Sequence, residues 1–197
     1  MGMPRFESAE VGNLELTWLV PLSLIGTVCG WLYFVSEHAS EALSHAIGER
    51  PVVKAMLAGL ALAICGTVLP YTMFAGETQA DVLMETYLTI PAGVLIATGL
   101  VKAMLTPALI NLGWRGGHFF PVIFSGVSLG YGLAILTGAD PVFCVAVCTA
   151  STMGAVMRQP VMVVGLLLMC FPLKGIVCMI IAAVIAAGIP LPKPLRK

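Results

Sequence analysis

From residue 16 to residue 35 the chain carries no charged side chain. Twenty residues wound as a helix at 1.5 Å each reach about 30 Å, the thickness of the hydrocarbon core of a bilayer. Further runs of this kind follow, and one small chain cannot hide them all inside itself. Hydrophobic residues make up 59% of the 197 and charged residues only 10%, against roughly 25% charged in an ordinary soluble domain. At this size surface grows almost as fast as volume, so the solvent has to be lipid. The expected fold is an all-α integral membrane protein of the cell membrane, a multi-pass helical bundle. Ten basic residues balance ten acidic ones, which removes the electrostatic basis for binding nucleic acid.

The first run is flanked by Trp18 at one end and Trp31 and Tyr33 at the other, as in an interfacial aromatic belt. Its helix is expected to continue as an amphipathic stretch through Glu37, Glu41 and His45 to Gly48. Pro51 restarts the chain, and a second span runs to about Phe74. Glu77, Asp81 and Glu85, four apart, share one face of a short helix at the surface. A third apolar run covers 90–112, and a fourth covers 122–136. Asp140 followed by Pro141 has the form of an acidic N-cap, and Arg158-Gln-Pro160 interrupts the helix it opens.

The pieces at 161–171 and 174–187 are short. Eleven residues give about 16 Å of helix, half of what a crossing needs. Broken helices at membrane depth survive only inside protein or along a wet cavity, and they mark transporter binding sites. The expected organisation is a single membrane domain over 1–197. It divides into entering spans at 14–113, a loop and following helix at 114–138, broken helices at 139–190 and a basic tail at 191–197.

Lys and Arg set the orientation. Arg50 and Lys54 occupy the first loop, the acidic segment after the second span has no basic residue, and the tail holds Lys193, Arg196 and Lys197. This places the N-terminus outside and the C-terminus in the cytoplasm. No cleavable leader is expected, because the first apolar run is too long for one.

The segment GWRGGHFFPVIFSGVSLGYG (113–132) carries the chemistry. Gly116 and Gly117 break the preceding helix, and Pro121 suits the first turn of the next. The N–H groups of His118, Phe119 and Phe120 then have no carbonyl partners. Free donors at the positive end of a helix form an anion site, here with Gly116 and Gly117 leading into it. Arg115 either raises the local potential for anions or snorkels to the inner surface. Lys102, deep in an apolar run, is either functional or pairs with a carboxylate or a helix C-terminus, and the structural role is preferred.

In order and spacing these motifs resemble the CLC-type family of voltage-gated chloride channels and chloride transporters. Gly117, Phe119 and Pro121 match its G-x-F-x-P element. The following FSGVSLG resembles the helix that continues from it, and LVKAMLTPALINLG resembles the helix that leads into it. Leu69-Pro70 with Phe74-Ala-Gly-Glu77, and Arg158-Gln-Pro160, look like two further landmarks, so the resemblance covers about 14–190. It implies chloride or a similar small anion as cargo and no cofactor. It also implies a homodimer in which each subunit has two inverted halves, and this chain looks like the second half only. The family's first-half G-S-G-x-P loop and its gating glutamate in G-x-E-x-P have no match here, and Pro192 stands where the family has a tyrosine facing the anion. A homo-oligomer, or a partner supplying the missing half, is therefore expected.

A non-conducting assembly partner, or a truncated remnant, is the alternative to transport. Gly126-Val-Ser-Leu-Gly130 also matches the G-x-S-x-G of hydrolase nucleophile elbows, which would make an intramembrane serine hydrolase. Its flanks are helical rather than strand–turn–helix, so Gly126 and Gly130 read as a GxxxG packing pair and no catalytic residue is assigned. His118 is either a pH-sensing donor to an anion or a histidine facing a polar vestibule. The six cysteines, with no zinc-type CxxC, read as small packing residues. Glu37, Glu41 and His45 read as a solvated face, so no metal site is assigned.

Overall fold

The computed structural model describes residues 5–6, 9 and 11–192. The basic tail residues Lys193, Arg196 and Lys197 that entered the orientation lie outside the described residues. Among the described residues eight α-helices follow one another: α1 Asn13–Ile47, α2 Pro51–Val68, α3 Glu77–Thr86, α4 Ala92–Asn111, α5 Phe119–Thr137, α6 Pro141–Met157, α7 Pro160–Leu167 and α8 Ile176–Gly188. Short 3-10 turns at Pro70–Thr72 and Tyr87–Thr89 join them. Among the described residues there is no strand. Four helices (α1, α2, α4 and α5) are long and apolar enough to cross a membrane.

The start and stop signals act where their chemistry predicts. Asp140 caps α6 by accepting from the Phe143 N–H at 2.7 Å, and Pro141 takes the first helical position. Gly48 ends α1 at φ +70°. Arg158 closes α6 in the left-handed region at φ +57°. Its guanidinium Nη1 donates to the Ala187 carbonyl at 3.0 Å and also to that of Ile189. The break therefore ties the end of α6 to the end of α8. With only 8 and 13 residues, α7 and α8 fall short of a full crossing, as their sequence lengths imply.

One expectation shifts. The second helix stops at Val68 rather than near Phe74, because Pro70 tightens the chain into a 3-10 turn. The first helix runs on to Ile47 with Gly48 as its cap, as expected, and its 35 residues make it about 52 Å long. Tyr33 is buried against the protein and meets Phe34 edge-on.

The interior is centred on α5 and α6, which bury 13 residues each, while α2 buries only Ala58. The helices α1, α4 and α8 surround that pair and α2 lies at the edge. Lipid tails are as apolar as leucine, so association depends on close approach rather than on escape from water. Small residues provide it. A Cβ on Gly26 would lie 2.9 Å from the Cys148 carbonyl, one on Gly30 2.6 Å from Ala155 Cβ, and one on Gly99 2.6 Å from the Ser125 carbonyl. The six cysteines are free thiols, and five are buried.

Candidate anion-binding site

The helix α4 delivers the chain to the site and is fixed at both levels. Ser36 of α1 donates to the Met104 carbonyl at 2.6 Å. Asn111 donates to the Glu37 carbonyl and to Ser40 Oγ at 3.1 and 2.9 Å. After Asn111 the chain turns at Gly113 (φ +98°), and residues 113–117 are exposed. His118 is the N-cap of α5. The first bond of that helix runs from the Val122 N–H to the His118 carbonyl at 3.1 Å.

Upstream of that bond, the N–H groups of Gly116, Gly117, His118, Phe119 and Phe120 donate to no acceptor among the described residues. Pro121 sits in the first turn, where its missing N–H costs nothing. Five donors thus stand at the positive end of a 19-residue helix. The His118 and Phe119 rings stack at 4.7 Å, and both residues are half-buried.

Lys102 lies 4% exposed in α4. Its ammonium donates to the Thr72 carbonyl at 2.6 Å and to the Phe74 carbonyl, and it sits 6.0 Å from the Phe124 ring centre. Its partners are therefore backbone carbonyls just beyond the α2 C-terminus, not a carboxylate. Arg115 is exposed beside the glycine pair. Lys102, Arg115, Gly116, Gly117 and Pro121 share the lining of one cleft of about 240 Å³.

Gly126 and Gly130 face α6. A Cβ on Gly126 would lie 2.9 Å from the Thr149 nitrogen, and one on Gly130 2.8 Å from the Val145 nitrogen. Ser128, between them, is fully buried and donates to the Leu95 carbonyl at 2.8 Å. Ten residues along the helix, about 15 Å, separate it from His118. The G-x-S-x-G spacing here joins three helices.

The segment 70–76, a landmark of the resemblance with no site residue assigned to it, also belongs to the site. It carries the carbonyls that hold Lys102 and packs Gly76, at φ +107°, so closely on α5 that a Cβ there would lie 2.5 Å from the Phe124 Cβ. Its sequence signals are the Leu69-Pro70 and Phe74-Ala-Gly-Glu77 landmark and the Pro70 and Gly76 breakers around Phe74, itself held at φ +60°.

Residues 3–190 match the voltage gated chloride channel family. The chain belongs to that family. Among solved structures, the CLC fold is shared with a chain described as a CLC-type fluoride/proton antiporter, at a TM-score of 0.77 and 21% identity. The match covers 100% of this chain and 50% of that one, so the chain spans half the length of the relative. No curated protein matches. The helices α4 and α5 and the 113–121 turn are thus elements of a CLC-type membrane fold.

Proposed function

We propose that the chain is one half of a CLC-type unit that moves a small inorganic anion, chloride in the first instance, across the cell membrane. The observation that carries this reading is the run of unpartnered N–H groups from Gly116 to Phe120 at the start of α5. In a low-dielectric setting unpaired donors are costly, and a dehydrated anion satisfies them while the helix dipole favours its charge. Neutral donors bind weakly enough for the ion to leave, as conduction requires. Arg115 adds positive potential at the mouth.

Arg50, Arg115 and Arg158 lie at or between helix ends and Lys54 lies in the first turn of α2, which supports an N-terminus outside and a C-terminus in the cytoplasm. The exposed 113–117 turn supports a missing wall, supplied by a partner that carries the other half or by a second copy. The same exposure and the half-length match also favour a second reading, in which the chain is a non-conducting assembly partner.

The test is isothermal titration of the purified, detergent-solubilised chain with chloride, beside Phe119→Pro, which removes one donor at a position where proline suits a helix. Because His118 holds φ −93°, ψ −13° and a residue before proline is pushed from that region, an amide-to-ester exchange at Phe119 serves as control. Saturable binding weakened about tenfold or more in both variants is expected. No binding in a folded, monodisperse sample would hand the lead to the assembly reading.

A further inference from the structure

At the end of α5 opposite to His118, three helix starts gather around an open pocket of about 550 Å³, lined by Val11, Gly12, Glu15, Asp140 and Lys174. Gly12 is the N-cap of α1 and Asp140 that of α6, while Lys174 precedes Gly175, the N-cap of α8. Asp140 lies just beyond Thr137, the last residue of α5. The 19 residues of that helix, about 28 Å, separate the pocket from the donors at 116–120.

Both acids are held by the backbone. Glu15 accepts from the Gly12 N–H at 2.9 Å and from the Asp140 N–H at 3.2 Å. Asp140 accepts from the Phe143 N–H at 2.7 Å. An ionised carboxylate has about four acceptor sites, so both keep capacity for further donors. Lys174 is exposed, lines the same space and pairs with neither acid. Beside it, the N–H groups of Gly175 and Val177 donate to no acceptor among the described residues. The pocket therefore carries negative and positive groups that do not neutralise each other. Val11 in the lining is exposed, as are Leu14 and Leu173, the chain neighbours of Glu15 and Lys174. Apolar groups exposed beside charges suit the boundary between acyl chains and headgroups.

We propose that this pocket binds the phosphoethanolamine headgroup of a membrane phospholipid. The primary ammonium has three N–H donors for Glu15 and Asp140, and the phosphate meets Lys174 and the start of α8. An acidic pair alone would suit a metal cation, but the lysine in the same lining opposes one. A choline headgroup has no N–H to give, and quaternary ammonium groups are held by aromatic faces, whereas no aromatic residue is among the described lining. A cavity of about 150 Å³ already accepts benzene, so the pocket has room for this headgroup and water.

Native mass spectrometry of the purified chain, mixed with equal amounts of phosphatidylethanolamine and phosphatidylcholine of matched acyl chains, reads the selectivity. The ethanolamine lipid is expected to be retained at least about tenfold more strongly. Asp140→Asn keeps an acceptor for the Phe143 N–H and is expected to reduce that preference about fivefold or more. Lys174→Gln, at an exposed position, is expected to weaken retention of the ethanolamine lipid about fivefold to tenfold. Glycerophosphoethanolamine, the same headgroup without acyl chains, is titrated calorimetrically and is expected to bind more weakly than the lipid. Equal retention of the two lipids by a folded wild type, an undiminished preference in Asp140→Asn, or wild-type retention in Lys174→Gln would each overturn the proposal. Glycerophosphoethanolamine binding as tightly as the lipid would overturn the membrane as its source.

Discussion

The contact between α5 and α6 predicts a large penalty for a small change. In Gly130→Ala the new Cβ would lie 2.8 Å from the Val145 nitrogen and 2.9 Å from the Cys144 carbonyl. Ordinary van der Waals contact starts at 3.4 Å, and Val145 Cα would lie closer still, so the helices must separate locally by more than 0.6 Å (3.4 less 2.8). The atoms in the way are backbone and no rotamer relieves them, which places the cost near the top of the overpacking range, about 3 kcal/mol. Replacing Gly by Ala within a helix returns roughly 0.5–1 kcal/mol. The net expected loss is about 2 kcal/mol. Ser128→Ala removes only the bond to Leu95, and interhelical hydrogen bonds in membranes average about 0.6 kcal/mol. Reversible unfolding in mixed micelles with a denaturing detergent measures both. The result that would refute the packing account of this G-x-S-x-G segment is Gly130→Ala as stable as wild type, or Ser128→Ala the more damaging of the two.

Two further substitutions probe the helix ends by the same assay. Arg158→Ala removes the guanidinium bonds to the Ala187 and Ile189 carbonyls and should cost about 2 kcal/mol. Arg158→Gly should cost about 1 kcal/mol less, because glycine accepts φ +57° without strain, and the reverse order would contradict this account. Asp140→Ala should lose about 1 kcal/mol with the cap on Phe143, while Asp140→Asn should stay within about 0.5 kcal/mol of wild type.

Much of this protein was legible because lipid leaves few options. A chain with long uncharged runs must span as helices, and helix length follows from residue count at 1.5 Å each. Pro51, Gly113, Pro121, Asp140 and Arg158-Gln-Pro160 mark helix boundaries by local chemistry alone, and the structure places those boundaries within a few residues of them. The orphan donors before Pro121 are equally local, since a helix start always has them.

What the sequence did not determine depends on contacts between distant segments. Nothing near Lys102 in the chain says that its ammonium meets carbonyls 28 and 30 residues away, and an acidic partner was as reasonable. Gly26 and Gly30 show their purpose only when Cys148 and Ala155 stand opposite them. Tyr33 has the character of an interface residue, yet packing buries it. The cleft is the clearest case. Its lining comes from α2, the 72–75 segment, α4, the 113–117 turn and the first turn of α5, and only tertiary packing brings two cations together there without an acid. Backbone chemistry and burial period are local and can be read along a chain. The shape and charge of a cavity are properties of several segments at once, and the fold alone assembles them.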